Sequence, residues 1–396
     1  MQVNNREDLT MGYAFETRCI HGGLTHGHDD PLRAVSFPIY QTATFGHNGV
    51  GESTGFDYTR EKNPTRQRLE ETVTALEGAA DTVAFSSGMA AVAACFELLE
   101  PGDHIVCSED LYGGVTRLLN TVGRKNGLEA SFVDAADLGK VEAAFLPRTK
   151  ALYIETPSNP MMNVTDLRAC AALAKAHQLL LIVDNTFLSP RFQTPLALGA
   201  DIVIHSGSKF LSGHNDTIAG FLSCASQALA DRVRLIAKTT GGALAPFDSW
   251  LVLRGLKTLS VRMERQQESA RLVAQWLTAQ ENISEVFYVG LPSHPGYALN
   301  AAQARGAGSM ISFRSDSEST ARHVLERVRL ITFAESLGGT ESLITYPVLQ
   351  THPDVPEKMR ERLGITETLL RLSVGLEDAG DIIADLEQAL VRLEKP

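Results

Sequence analysis

The chain has 396 residues, 44% of them hydrophobic and 21% charged, which is typical of a globular protein with two domains or one large one. Its formal net charge of −11 argues against nucleic acid or an anionic membrane as a partner. The sequence contains no signal-peptide pattern, no run long enough to span a bilayer, and no paired C-x-x-C among its five cysteines. We therefore expect a cytoplasmic protein without a disulfide framework or a metal site.

The pattern of the sequence changes twice along the chain. Residues 1–62 are rich in glycine, histidine and proline and predict an extended N-terminal arm. Residues 63–250 alternate apolar runs with amphipathic stretches, beginning with a helix that starts at Pro64. Residues 251–396 open with a long helical stretch interrupted near Gly255 and predict a smaller C-terminal domain.

Five apolar runs in the middle section predict strands, at 81–88, 103–109, 150–157, 179–186 and 200–208. These runs are near-continuous, as expected of strands buried on both faces. Together with the helices between them they predict an α/β fold with a mostly parallel sheet, which binds its ligand at the carboxyl ends of the strands. Polar residues stand at those ends: Ser87 and Gly88, Glu155, Asp184, and Ser206 to Lys209.

One lysine follows the last of these strands in a loop rich in serine and glycine, HSGSKFLSGH. A lysine chosen at random is most often a solvated surface residue. Lys209, however, comes directly after a buried strand, where desolvation makes a lysine a nucleophile that forms imines with carbonyl groups. Its position therefore predicts covalent catalysis.

The residues at two further strand ends can be interpreted either as purely structural or as functional. Asp184, after the run LLLIV, either caps the next turn or keeps a pyridinium nitrogen protonated, as pyridoxal phosphate requires to act as an electron sink. The stretch FSSGMAA is either an ordinary strand-to-helix turn or an anion site built from backbone N–H groups.

Seven motifs in a fixed order carry a family resemblance: SSGMAA, DLYGG, ETPSNP, VDNTFLSP, HSGSKFLSGH, AESLGG and LLRLSVGLED. By these motifs the chain, from about residue 18 to its last helix, resembles the Cys/Met-metabolism (trans-sulfuration) family of pyridoxal-phosphate enzymes. The resemblance implies the fold-type I architecture of these transferases and lyases, with a mostly parallel sheet in a large central domain and a smaller α+β C-terminal domain.

The resemblance also implies which residues bind pyridoxal 5'-phosphate. Lys209 would carry the cofactor covalently, Asp184 would pair with its ring nitrogen, and Tyr112 would stack on the ring and assist proton transfer. Asn159 would approach the ring hydroxyl. The other residues implied to bind the cofactor are Ser87, Gly88, Met89, Thr186, Ser206 and Ser208.

Two residues of the arm are implied to act on another subunit. Tyr58 and Arg60, in the stretch FDYTREKNPT, would reach the cofactor phosphate of a neighbouring chain. The resemblance therefore predicts a homo-oligomer with shared active sites, in the form of a tetramer built as a dimer of dimers.

The substrates implied are small amino acids. Arg371, inside the apolar motif TLLRLSV, would hold the substrate α-carboxylate as a bidentate fork, with Ser336 alongside. We expect Glu335 and Asp57 to steer the ammonium group of a second substrate, and Arg117 to meet an acyl or distal carboxylate group.

Two positions bear on the reaction. Glu335 is typical of the γ-synthase and cystathionine γ-lyase branch, whereas methionine γ-lyases carry an apolar residue there and enteric-type β-lyases an aromatic one. Gly114 stands where methionine γ-lyases carry a cysteine. We therefore predict γ-replacement on an activated homoserine ester with cysteine, giving cystathionine. The alternatives are γ-elimination from cystathionine to cysteine, 2-oxobutanoate and ammonia, then a methionine γ-lyase or an O-acetylhomoserine sulfhydrylase.

Two further classes of protein are less compatible with the sequence. An aminotransferase of the same fold needs a second carboxylate-binding arrangement and lacks the Tyr58–Arg60 motif. A cofactor-free scaffold has no need of Lys209, Asp184 and Arg371, all of which are intact.

Overall fold

The computed structural model describes residues 12–22, 34–353 and 355–391. Within these ranges the strands form two sheets. The larger sheet contains β1 (Asp81–Phe85), β2 (His104–Ser108), β3 (Glu129–Val133), β4 (Thr149–Glu155), β5 (Leu180–Asp184), β6 (Ile202–Ser206) and β7 (Gly220–Cys224). The smaller one contains β8 (Ile283–Phe287), β9 (Met310–Ser315), β10 (Thr332–Phe333), β11 (Leu343–Thr345) and β12 (Leu369–Ser373).

Helices alternate with the strands through the same ranges. In chain order they are α1 (Phe15–His21), α2 (Pro64–Glu77), α3 (Gly88–Phe96), α4 (Gly113–Leu118), α5 (Leu138–Ala143), α6 (Leu167–Ala176), α7 (Ser189–Phe192), α8 (Gln227–Thr240), α9 (Pro246–Leu256), α10 (Leu259–Leu277), α11 (Tyr297–Gln303), α12 (Glu318–Arg327), α13 (Glu357–Leu363) and α14 (Ala379–Leu390). No helix of the described residues is long and apolar enough to cross a membrane.

The larger sheet has the order β1-β7-β6-β5-β4-β2-β3. Strands β6, β5, β4, β2 and β3 pair in parallel, and β7 is antiparallel to both of its neighbours. The predicted mostly parallel α/β sheet is thus confirmed, although the sequence indicated neither β3 nor β7. Because β7 runs antiparallel between two strands, the carboxyl ends of β1, β2, β4, β5 and β6 share one edge.

Both faces of this sheet are covered, which explains the continuous apolar runs of its strands. Two neighbouring residues of β4, Tyr153 and Leu152, pack against helices on opposite faces of the sheet. Tyr153 packs against Phe96 of α3, with the ring centroids 5.8 Å apart. Leu152 lies in the opposite layer with Leu167 and Cys170 of α6.

Helix α2 begins and ends where its sequence predicts. The Asn63 side chain accepts hydrogen bonds from the N–H groups of Thr65 and Arg66, and Pro64 occupies the first turn. Gly78 ends the helix with a left-handed φ of 69°. The later helical stretch breaks between Leu256 and Leu259, close to the predicted interruption.

The smaller sheet has the order β10-β11-β12-β9-β8 and packs with α10, α12 and α14 around its own core. It supplies the predicted smaller α+β unit after the larger sheet. The boundaries at 62/63 and 250/251 stay predictions.

The N-terminal arm is only partly described, because residues 1–11 and 23–33 lie outside the described ranges. Within it, α1 packs against α2 and α10 and buries Cys19. The sequence did not predict this helix, since seven residues are too few to show a clear helical period. Residues 34–62 contain turns and isolated bridges, and a separate N-terminal arm stays a prediction.

Candidate active site

A cavity of about 500 Å³ opens at the shared carboxyl edge of the larger sheet, beneath a loop of the smaller one. Its volume falls within the range of roughly 300–1,000 Å³ that is usual for ligand pockets. It brings together most of the predicted site residues, namely Ser87, Gly88, Met89, Tyr112, Asn159, Asp184, Thr186, Ser206, Ser208, Lys209, Glu335, Ser336 and Arg371. A second cavity of about 580 Å³, beside α1, contains none of them.

Lys209 is held by the loop that follows β6. The buried Arg262 fixes this loop by donating to the Phe210 carbonyl at 2.9 Å and to the Gly255 carbonyl at 2.9 Å. The Lys209 amine donates to the Ser336 hydroxyl at 2.7 Å. Burial and the nearby Arg371 guanidinium lower the pKa of Lys209 to about 8. Its amine is therefore neutral, and nucleophilic, far more often at pH 7 than that of an ordinary lysine.

Asp184 ends β5 with its carboxylate in the cavity. One carboxylate oxygen accepts the backbone N–H of Thr186 at 2.9 Å, and the other faces the Tyr153 hydroxyl at 3.5 Å. Burial raises the pKa of Asp184, while its Thr186 hydrogen bonds oppose that rise. A cationic ring nitrogen placed here would stabilise the charged carboxylate.

An anion cradle lies at the start of α3. Ser87 caps this helix by accepting the N–H of Ala90 at 3.0 Å, and the first N–H groups of a helix have no partner within it. Gly88 allows a close approach, because a Cβ there would lie 3.0 Å from the Ser206 hydroxyl oxygen. The Ser206 backbone N–H in turn donates to the Thr186 hydroxyl at 2.9 Å. The cradle has the donors that a phosphate group needs.

Tyr112 stands at the opposite side of the cavity, directly before α4. A Cβ at Gly114 would lie 2.4 Å from the Tyr112 ring, so only glycine at 114 leaves the ring in this place. The Tyr112 backbone N–H donates to a carboxylate oxygen of Glu155 at 3.0 Å. Tyr112 is 38% exposed, and a flat ring in the cavity has a face available for stacking.

Arg371 enters the cavity from β12 of the smaller sheet and is 2% exposed. Its guanidinium donates to the Asn159 side-chain oxygen at 2.8 Å and to the Ser336 carbonyl at 3.1 Å. Its Nε is buried and has no hydrogen-bond partner among the described residues. Burial lowers the pKa of Arg371 to about 10, so the group stays charged at neutral pH. A buried cation with spare donors can bind a carboxylate.

Ser336 joins the two cations of the site. Its hydroxyl accepts from Lys209 and its carbonyl from Arg371. Its φ of 102° is uncommon for a residue other than glycine, and such conformations cluster at functional sites. The loop that contains Ser336 thereby reaches from the smaller sheet to the lysine of the larger one.

Four predicted residues do not line this cavity: Asp57, Tyr58, Arg60 and Arg117. Tyr58 and Arg60 lie on the exposed surface, with the guanidinium 5.5 Å from the tyrosine ring centroid. Asp57 pairs with His47 at 3.1 Å, and Arg117 lies on an exposed face of α4. Their proposed contacts with a cofactor or a substrate stay predictions.

Sequence reasoning missed three residues of the site. The sequence places Glu155 at a strand end but predicts no role for it. Arg262 lies 53 positions after the lysine in a helix, and Asn215 lines the cavity from a short loop. Only their spatial contacts identify the last two.

The structure also fits the implied cofactor. The cavity offers a phosphate cradle at one end, a carboxylate at Asp184, a tyrosine ring, and a lysine amine of low pKa. These four groups match the phosphate, the ring nitrogen, the ring face and the aldehyde of pyridoxal phosphate.

The chain is similar to known proteins along almost its whole length. The family model described as "Cys/Met metabolism PLP-dependent enzyme" matches residues 16–391. Cystathionine gamma-synthase of Haemophilus influenzae is 48% identical, covering 98% of this chain and 100% of that protein. Cystathionine beta-lyase of Lactococcus lactis is 45% identical, covering 95% of this chain and 99% of that protein. The crystal structure of cystathionine gamma-lyase from Lactobacillus plantarum, complexed with L-serine, is 42% identical with a TM-score of 0.93, covering 95% and 98%.

Proposed function

The chain belongs to the Cys/Met metabolism family of pyridoxal-phosphate-dependent enzymes, and we propose that it catalyses γ-replacement on an activated homoserine ester with cysteine, giving cystathionine. The similar proteins named above are a synthase and two lyases of cystathionine, so likeness alone does not choose among these reactions. The charges of the cavity support a substrate or an acceptor that has its own ammonium group.

Glu335 is the observation that supports a synthase. It lines the cavity directly before Ser336, and its carboxylate acts electrostatically on both Lys209 and Arg371. γ-Replacement with cysteine requires the site to recognise an acceptor that has its own ammonium group. A carboxylate beside the carboxylate-binding arginine supplies that recognition.

Cystathionine γ-elimination is the second candidate, and the same residue favours it. The distal end of cystathionine has the ammonium group that cysteine brings as an acceptor. Glu335 therefore suits cystathionine as a substrate as well as a product, and only the measured products distinguish the two directions.

We propose these roles in binding the cofactor. Lys209 holds the cofactor covalently, Asp184 pairs with its ring nitrogen, Tyr112 stacks on the ring and Asn159 approaches the ring hydroxyl. Bound in this way, pyridoxal phosphate withdraws electrons from the carbon atoms next to the substrate amino group. The residues proposed to hold the phosphate are Ser87, Gly88, Met89, Thr186, Ser206 and Ser208.

The remaining residues orient the substrates and move protons. Arg371 binds the α-carboxylate of the homoserine ester, and Ser336 keeps Lys209 close to it. Once the substrate amino group has displaced Lys209 from the cofactor, the freed Lys209 amine would remove the proton from the α-carbon and transfer protons at the neighbouring positions, with help from Tyr112. The acyloxy group would leave the γ-carbon as a carboxylate, and the cysteine sulfur would bond there while its thiol proton passes to solvent. We keep Asp57 and Arg117 as secondary candidates for contacts with the acceptor and the acyl group.

Neutralising Glu335 should separate replacement from elimination. We expect Glu335→Gln and Glu335→Val to lower the kcat/KM for cysteine about 10- to 150-fold, the loss that follows from about 1.5–3 kcal/mol for a charge-assisted contact. Elimination from the homoserine ester needs no acceptor, so its rate should change little. Both rates are measured on one enzyme preparation, with Glu361→Gln, an exposed carboxylate, as the control. Equal losses in both reactions would contradict the acceptor role.

Tyr58 and Arg60 are proposed to complete the site of a neighbouring subunit, in a homotetramer built as a dimer of dimers. The exposure of both residues outside their own cavity supports this arrangement. Mixing inactive Arg60→Ala with inactive Lys209→Ala subunits should then restore part of the activity, because one site in a mixed dimer receives an intact arm and an intact lysine. Mixed oligomers that stay inactive would place the arm in its own subunit's site.

A further inference from the structure

Glu155 is a buried acid of the cavity that the proposed chemistry does not use. It is the last residue of β4 and is 6% exposed. Its backbone N–H donates to the Ser108 hydroxyl at 3.3 Å, which joins the ends of β4 and β2. Its side chain lines the same cavity as Lys209 and Asp184.

The strand register places Glu155 next to Asp184. The two residues are paired across the parallel strands β4 and β5, so their side chains leave the same face of the sheet. Two neighbouring carboxylates in a buried site do not both ionise readily. Asp184 has the backbone N–H of Thr186 and the Tyr153 hydroxyl to stabilise its charge.

The surroundings of Glu155 favour its neutral form. Burial, followed by the Asp184 charge, raises the pKa of Glu155 well above its usual range. Asp110 acts in the same direction, while the backbone N–H groups of Tyr112 and Asn159 oppose it. Arg371 is the cation that faces this group from the smaller sheet. Burial and the Asp184 charge each change the pKa of Glu155 more than either backbone hydrogen bond does.

Glu155 also fixes the residue that is proposed to stack on the cofactor. One of its carboxyl oxygens accepts the Tyr112 backbone N–H at 3.0 Å. No side chain caps α4 at this end, so the hydrogen bond ties the Tyr112 backbone to β4. The ring then has little freedom, because it packs directly on Gly114.

We infer that Glu155 is a positioning residue that works as an uncharged acid, holding the Tyr112 backbone in place and leaving Asp184 as the charged member of the Glu155–Asp184 pair, available to the ring nitrogen of the cofactor. The inference rests on the cofactor contacts in the proposed function, not on the choice of substrate. It separates two properties of Glu155, its acceptor oxygen and its charge.

Two substitutions of similar size isolate these properties. Glu155→Gln keeps an acceptor oxygen for Tyr112 and has no charge. Glu155→Met has neither the oxygen nor the charge. Both are compared with the wild-type protein in the absence of substrate, by titrating the apoenzyme with pyridoxal phosphate and by following the visible band of the bound cofactor across pH. Circular dichroism checks that each variant is folded.

We expect Glu155→Gln to bind the cofactor within about twofold of wild type, with the pH midpoint of the band moved by less than about half a unit, because no charge is lost. Glu155→Met should bind about 5- to 150-fold more weakly, since the Tyr112 N–H loses its buried partner. A midpoint moved by more than about one unit in Glu155→Gln would show that Glu155 acts as an anion and overturn the inference. Tight binding by a folded Glu155→Met would overturn the positioning role. If Glu155→Met does not fold, the Glu155→Gln titration still decides whether Glu155 is charged.

Failure of this inference is distinguishable from failure of the proposed function. The titrations use no amino-acid substrate, so a different reaction would leave their outcome unchanged. Loss of the visible band in wild type itself would instead contradict the role of Lys209.

Discussion

Lys209→Ala is expected to abolish both turnover and the visible absorption band of the covalently held cofactor. The side chain has two proposed roles, attachment of the cofactor and transfer of the α-proton. General acid–base groups alone contribute about 10²- to 10⁴-fold to rates, so loss of both roles should exceed that range. The pKa of Lys209, lowered to about 8, suits both roles because the amine is more often neutral than that of an ordinary lysine.

The measurement for Lys209→Ala is absorbance of the purified variant after addition of pyridoxal phosphate, together with its turnover. Lys257→Ala, at an exposed lysine, serves as the control and should resemble wild type in both. A Lys209→Ala variant that keeps the band and turns over substrate would show that another residue holds the cofactor.

Asp184→Ala is expected to keep the cofactor attached but to lose most of its activity. Lys209 and the phosphate cradle remain, so attachment should survive. Removing one partner of a buried ion pair costs about 3–5 kcal/mol, which corresponds to roughly 10²- to 10⁴-fold when the pair acts in the transition state. The ring nitrogen then has no anion to keep it protonated, and its electron-withdrawing effect weakens.

Asp184→Asn tests the charge without changing the shape, and it should lose activity in the same direction. Asp231→Asn, at an exposed site on α8, is the matched control. An unchanged kcat in a fully loaded Asp184→Ala enzyme would refute the pairing with the ring nitrogen.

Much of the fold could be predicted because its signals are local. The apolar runs of β1, β2, β4, β5 and β6 are continuous, and helices separate most of them, so a parallel sheet follows. Strands β3 and β7 lacked such signals. The serine and glycine content that makes β7 a weak strand pattern also lets it approach the phosphate cradle, since a Cβ at Gly220 would lie 2.1 Å from the Ser87 carbonyl oxygen.

The cofactor end of the site was predictable for the same reason. Ser87 and Lys209 follow strands and Asp184 ends one, and parallel strands bring their carboxyl ends to one edge. Arg371 required the family resemblance, because it lies 212 positions from the Asn159 amide to which it donates. No pattern in the chain reveals that contact.

The proposed roles of Glu155 and of the arm could not be predicted from local sequence patterns. The hydrogen bond from Tyr112 to Glu155 spans 43 positions and depends on how a turn settles against a strand. Tyr58 and Arg60 acquire a role only from a second subunit. The reaction itself depends on a few charges, such as that of Glu335, added to residues that the lyases and the synthase have in common.

Product analysis of the purified enzyme tests the proposed reaction most directly. The enzyme is incubated with O-acetylhomoserine or O-succinylhomoserine plus cysteine, and separately with cystathionine alone, and the products are identified by mass spectrometry. Synthesis of cystathionine from at least one ester, with slower cleavage of cystathionine, is the result that the proposal predicts. Rapid cleavage of cystathionine to cysteine and 2-oxobutanoate, with none formed from either ester, would contradict it and identify a γ-lyase.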